Sequence, residues 1–268
     1  MTDYTAANRG VWNAWTTAHT GSDHHHDLDV VRAGGLSLRP IELAEVGAVE
    51  HKSLLHLQCN MGADTLSWAR LGARVTGTDI ADAAIARGRA LAAELDLPVR
   101  FVRSDLYALP EVLDEQFDIV FSSYGALCWL GDLARWASIA ARYVKPGGLF
   151  YLVEMHPFPA IFASAEADLP GVTFSATHPY TSGSQPRPED VGATTRDPAH
   201  GTVYSWNHGL GEVLTALLGA GLRLEFVHEF PYAHYQRFVA LRQRDDGYWH
   251  WSDARNTMPL LFSVRATK

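Results

Sequence analysis

Residues 54–79 read LLHLQCNMGADTLSWARLGARVTGTD, and this stretch decides the fold. An apolar run ends at Leu57, and a turn carrying Gly62 follows. Residues 63–71 have helical spacing and stop at Gly72. RVTGTD then reads as a second strand closing on Asp79. Strand, turn, helix and strand in this order make a right-handed βαβ unit, the building block of a parallel sheet. A dinucleotide fingerprint at such a turn uses glycines so that backbone can approach a pyrophosphate at the helix N-terminus. The matching positions here are Gln58, Asn60 and Ala63. Two side chains stand where a pyrophosphate needs room. NAD and FAD are therefore disfavoured, and a phosphate-free cofactor carrying its own cation suits the turn better.

The alternation continues outward. SLLHLQ (53–58), VRFVRSD (99–105), FDIVFSS (117–123) and PGGLFYLVEM (146–155) read as strands, with helices at 81–96 and 133–144. Upstream, Tyr4, Val11, Trp12 and Trp15 have helical spacing over 4–19, and GSDHHHD (21–27) breaks it. Between His156 and His208 the pattern fails in a stretch rich in Pro, Gly, Ser and Thr. GVTFSATHPY (171–180) and GTVYSWNH (201–208) are expected to pair there as a hairpin or short sheet. A helix at 211–222 follows. RLEFVHEF (223–230) and LLFSVRAT (260–267) then form an antiparallel hairpin at the sheet edge. The expected organisation is a helical cap at 1–50, a core at 51–155 and 209–268, and a lid inserted at 156–208.

Composition narrows the function classes. The chain has 268 residues, 47% hydrophobic and 19% charged, as in ordinary globular proteins. A net charge of −8 repels phosphate backbones and disfavours nucleic acid as a partner. Two cysteines, Cys59 and Cys128, make no disulfide framework and fit a reducing compartment. Without a signal pattern or an apolar run of membrane-spanning length, the expected location is cytoplasmic, off the membrane. The three consecutive histidines at 24–26 point in different directions on any regular element, so no metal site is expected.

Two acids point to a nucleoside. Asp79, 17 residues after Gly62, ends the second strand, where a carboxylate can accept both ribose hydroxyls. Asp105 ends the third, where it can accept from an adenine amino group. The ordered set LLHLQCNMG, VTGTD, RFVRSDLYALP, FDIVFSSYGALCWL and VKPGGLFYLVEMHP resembles the class I S-adenosylmethionine-dependent methyltransferases over residues 51–155. The final hairpin is similar to that family's antiparallel sixth and seventh strands. The resemblance implies a doubly wound, mostly parallel seven-stranded α/β sheet with an antiparallel last strand. It implies S-adenosyl-L-methionine as cofactor and S-adenosyl-L-homocysteine as product. Gly62 would let backbone approach the methionine part. Asp79 would take the ribose, Ile80 and Leu106 would pack on the adenine, Asp105 would read its amino group, and Ser122 would face the sulfonium. Gln58 and Asn60 depart from the family's first two glycines, and His56 from its usual acid. Gln58 or Asn60 is then the side chain to hold the methionine carboxylate or ammonium, and Arg32 could pair with the carboxylate.

Methyl transfer needs alignment, exclusion of water and sometimes a base. His156, just past the fifth strand, is the first base candidate, with Glu154 either buried near the site or orienting it. His208 begins the helix after the lid; His234 and Tyr235 occupy the loop between the last two strands. Trp12, Tyr124, Trp129, Trp206, His208 and Tyr235 are the candidates for lining a substrate pocket. The expected activity is methylation of a nitrogen or oxygen of a small-molecule metabolite. A non-catalytic S-adenosylmethionine-binding protein and an NAD-dependent oxidoreductase are the competitors.

Overall fold

The computed structural model describes residues 3–18, 28–162, 176–191, 201–253 and 255–268. The histidine run at 24–26 and residues 171–175 lie outside them. The strands are β1 (Ser53–Leu57), β2 (Arg74–Asp79), β3 (Arg100–Arg103), β4 (Phe117–Ser123), β5 (Val144–Met155), β6 (Arg187–Val191), β7 (Gly201–Ser205), β8 (Arg223–Phe230), β9 (Tyr232–Ala233), β10 (Leu241–Gln243), β11 (Trp249–Trp251) and β12 (Leu261–Thr267). The helices are α1 (Tyr4–Ala18), α2 (Leu28–Arg32), α3 (Pro40–Val46), α4 (Ala63–Arg70), α5 (Asp82–Glu94), α6 (Leu133–Tyr143) and α7 (Leu210–Gly219).

Seven strands form one sheet in the order β3-β2-β1-β4-β5-β12-β8. The first five are parallel, and β12 runs antiparallel to both neighbours. Central strands of a parallel sheet are covered on both faces and read as nearly continuous apolar runs. Their side chains still alternate. Leu54, Ile119, Phe121, Tyr151 and Val153 pack with Trp68 of α4 on one face. Leu55, Leu57, Val120, Phe150 and Leu152 pack against α6 and α7 on the other. The stripe Trp136, Ala137, Ala140 and Tyr143 is the buried face of α6, with period 3.6.

Two features differ from the sequence expectation. The partner of β7 among the described residues is Arg187–Val191, where the sequence suggested 171–180. The segment between the last two sheet strands is no plain loop. It folds as a small antiparallel sheet, β10-β11-β9, over its own cluster of Phe162, Phe238, Leu241, Trp251 and Leu260.

The strand order reverses at β1 and β4, which open a crevice at their carboxyl ends. Helix α1 lies over that crevice. Asn8 ties it to β7 in both directions: its amide donates to the Tyr204 carbonyl and accepts from the Tyr204 N–H, both at 2.8 Å. Arg9 and Asn13 tie the same helix to Asp82 and Ala83 of α5.

Candidate functional site

The crevice holds two connected chambers of about 120 and 720 Å³. Their shared wall includes Trp12, Gln58, Asn60, Ser123, Tyr124 and Trp129. Three non-glycine residues on this wall have left-handed backbone: Gln58 (φ 54°), Asn60 (φ 49°) and Tyr124 (φ 33°). Such geometry costs an ordinary side chain roughly 1–2 kcal/mol, so surrounding bonds must hold it. The Cys59 N–H donates to the Thr78 carbonyl, and the Asn60 N–H to the Asp79 carboxylate at 2.8 Å. The Gln58 amide donates to the Ala126 carbonyl at 2.9 Å. The turn thus keeps a glycine-like path without glycine at 58 and 60. Gly62 (φ 81°) remains obligatory, because a Cβ there would stand 2.6 Å from the Phe101 ring.

The smaller chamber is lined by Asp79, Ile80, Asp105 and Leu106. One oxygen of Asp79 accepts from the Asn60 N–H and the other from the Ala81 N–H, which leaves lone pairs for two further donors. Burial pushes the pKa of Asp79 up against those bonds. Asp105 has a local duty as well: it caps the turn at Leu106–Glu111 by accepting from the Tyr107 N–H.

The larger chamber is walled by Trp12, Trp15, Trp129, His234 and Tyr235. Its Trp rings meet edge to face, with Trp12 4.9 Å from Trp15 and 5.3 Å from Trp129. A polar wall lies opposite. Asp64, in the first turn of α4, accepts from Ser37 Oγ at 2.6 Å and Ser123 Oγ at 3.1 Å. His56 Nδ1 pairs with Thr65 Oγ1 at 2.9 Å and Nε2 with Ser123 Oγ at 3.3 Å. Because Ser123 gives its proton to Asp64, the consistent tautomer carries the proton on Nε2. Full burial lowers the His56 pKa to about 3, so the ring is neutral. Behind this wall Glu42 accepts from the Arg39 N–H and from the Tyr124 hydroxyl. Burial first, and Asp64 second, raise its pKa to about 8. Arg39 lines the chamber too, its guanidinium 6.0 Å over the Tyr248 ring.

The structure brings Gln58, Asn60, Gly62, Asp79, Ile80, Asp105, Leu106, Trp12, Tyr124, Trp129 and Tyr235 to the crevice. The expectations for six residues need correction. Ser122 points away: its side chain is fully buried, and the alternation of β4 presents Ser123 instead. His156 does not border either chamber. Its Nε2 pairs with Glu229 at 2.8 Å and its Nδ1 accepts from the Phe158 N–H, so both nitrogens serve the chain. Glu154 does not orient it. That buried carboxylate accepts the N–H groups of Gly125, Ala126 and Leu127 and shapes the loop after β4. Trp206 and His208 brace the outside of the same loop. The Trp206 N–H donates to the Cys128 carbonyl, and His208 Nε2 donates to the Leu130 carbonyl at 2.6 Å. Arg32 is an exposed partner of Glu94 and Asp29. Sequence reasoning passed over Ser37, Arg39 and Asp64. For Asp64 a signal existed, an acid in the first helical turn after the glycine turn, where the helix dipole favours it.

Residues 55–152 match the family model described as a methyltransferase domain. Residues 55–152 are a methyltransferase domain. Relatives of this domain include a ubiquinone biosynthesis O-methyltransferase of Methylobacterium nodulans, 34% identical over 44% of this chain and 46% of that one. Another, from Pseudomonas fluorescens, is 28% identical over 64% and 71%. The chain spans about half the length of the first curated relatives it matches. An S-adenosylmethionine-dependent methyltransferase from Mesorhizobium loti has the same fold (TM-score 0.60, 22% identity, 85% of this chain and 96% of that one). A glycopeptide N-methyltransferase bound to S-adenosylhomocysteine shares it too (0.56, 18%, 91% and 97%).

The residues present fit the methyltransferase cofactor. Asp79 has acceptor capacity for two ribose hydroxyls, and Ile80 and Leu106 offer an apolar slot. Gln58 Oε1 is a buried acceptor with no donor among the described residues, on the wall between the chambers. Such a group stays costly until a donor arrives. No helix among the described residues is long and apolar enough to cross a membrane, and no metal-ligand cluster occurs among them.

Proposed function

We propose that the protein transfers a methyl group from S-adenosylmethionine to a nitrogen or oxygen of a small molecule held in the larger chamber. The observation that carries this reading is the joining of a nucleoside-type chamber to an aromatic one across the wall of Gln58, Ser123 and Tyr124. S-adenosylmethionine supplies an activated methyl on a sulfonium. The chain's own part is alignment and exclusion of water. Trp12, Trp15 and Trp129 offer ring faces to a flat or cationic acceptor, and α1 covers the cleft from above. Of the two histidines on the chamber wall, His56 and His234, the second has its ring 4.4 Å from that of Tyr124, and it replaces His156 as the group to receive a proton. The other titratable neighbours suit this task poorly. His56 is neutral and committed, and burial raises the pKa of Cys128 and Tyr235. The two free cysteines, Cys59 and Cys128, agree with a reducing cytoplasm as the setting.

The test is incubation with S-adenosylmethionine and a panel of phenols and amines, with S-adenosylhomocysteine measured as product. Turnover is expected on a member of the panel. His234→Ala should lower kcat about 100-fold on that substrate and leave cofactor affinity unchanged. Tight cofactor binding with no turnover on any acceptor would support a non-catalytic binding protein. Binding of NAD with no binding of S-adenosylmethionine would support the oxidoreductase.

A further inference from the structure

We infer that Asp64 and Arg39 hold the amino-acid end of the cofactor, Asp64 facing its ammonium and Arg39 its carboxylate. The inference rests on the cofactor reading above and concerns which residues of this chain replace the contacts that Gln58, Asn60 and Arg32 were expected to make.

The amino-acid end is a zwitterion whose two charges sit on one carbon. A wall that recognises it must present opposite charges side by side. The larger chamber presents such a pair. Ser37 and Arg39 belong to the segment entering α3, and Asp64 belongs to the first turn of α4. The bond from Ser37 Oγ to Asp64 at 2.6 Å, with that from the Ser37 N–H to Ser67 Oγ at 3.0 Å, fastens the two segments together. Arg39 is thereby brought to the same chamber as Asp64.

Both groups have capacity left. The Arg39 guanidinium has no carboxylate partner among the described residues and lies over the Tyr248 ring. Each Asp64 oxygen accepts one serine hydroxyl and keeps a lone pair for an N–H donor. The wall behind adds no competing charge, since His56 is neutral and Glu42 holds its proton at neutral pH. Gln58 offers only neutral groups, an acceptor and one remaining N–H, its other N–H being given to Ala126. A charge-assisted bond is about twice as strong as a neutral one. Arg32 is engaged elsewhere by Glu94 and Asp29. The positive charge expected from it comes instead from Arg39, seven residues later.

Calorimetry with three ligands separates the roles. S-adenosylhomocysteine carries both charges. Decarboxylated S-adenosylmethionine keeps the ammonium and the sulfonium and lacks the carboxylate. 5′-Methylthioadenosine has the nucleoside and sulfur and neither charge. Asp64→Asn is expected to raise the Kd for S-adenosylhomocysteine about tenfold or more while 5′-methylthioadenosine binds as before. Arg39→Met should weaken S-adenosylhomocysteine by a similar factor and spare decarboxylated S-adenosylmethionine. Equal losses for all ligands, or no loss for S-adenosylhomocysteine, would overturn the assignment. Thermal melts confirm folding, and because the two residues lie on separate elements, Arg39→Met decides if Asp64→Asn does not fold. A wild-type protein that binds 5′-methylthioadenosine but discriminates neither variant sinks this inference alone. One that binds none of the three sinks the cofactor reading with it.

Discussion

Glu42 shows how a single buried residue couples the site to pH. Its carboxyl lies under the polar wall, bonded to the Arg39 N–H and to Tyr124. Its pKa stands at about 8 in the fold against an ordinary 4.5. Below pH 4.5 both folded and unfolded forms are protonated and the group is neutral to stability. As pH rises from there the unfolded chain releases the proton while the folded chain holds it, so stability falls until about pH 8 and then levels. Glu42→Gln removes that titration. Its urea midpoint is expected to vary less between pH 5 and 8 than the wild type's, by an amount worth on the order of a few kcal/mol. Parallel curves for the two proteins would show that Glu42 does not titrate this way. Little of this was readable beforehand. Asp79 could be placed because a strand-terminal acid has one recurrent position. Glu42 and Arg39 could not, since their meaning comes from the segment entering α3 being fastened to α4 through Ser37, a contact that no periodicity encodes. Ser122 was mistaken for Ser123 because a strand's period of two leaves the facing residue ambiguous until the register is known.

At the scale of elements, strongly periodic segments were legible. The ranges read for β2, β4 and β8 coincide with the strands, and α4 and α6 differ by one residue at their ends. Weakly patterned ones were not. RPEDV in β6 is polar and largely exposed, so no apolar alternation marks it. The strands β9, β10 and β11 have only two or three residues each, too few to show a period. Their order comes from packing around Phe238 and Trp251, whose rings stack at 5.4 Å. Between elements, Asn8 is the decisive joint because it locks α1 to β7. Asn8→Ala deletes two hydrogen bonds, with an expected cost of about 1–3 kcal/mol. Amide exchange should then quicken in α1 and β7 together and leave β1 and β4 unchanged. Acceleration confined to α1 would mean that the Asn8 joint does not couple the two.

For the whole molecule, the sheet makes the cleft a property of the core. Residues from the ends of β1, β2, β3 and β4 meet there, and the central strands β1 and β4 are anchored by apolar layers on both faces. A ligand that binds this arrangement binds only the folded chain and must stabilise all of it. S-adenosylhomocysteine at 100 times its Kd should add about 2.7 kcal/mol and raise Tm by about 5 °C or more. An unchanged Tm at saturation would contradict binding at the strand ends.

The cluster of Trp12, Trp15 and Trp129 has an optical consequence. Three of the chain's eight tryptophans crowd the wall of one chamber, while Trp68 and Trp136 are sealed in the core. Indole emission depends on the polarity and mobility of its surroundings. The cleft therefore carries a built-in fluorophore, and its occupancy can be followed by light alone, without a label and without knowing the acceptor.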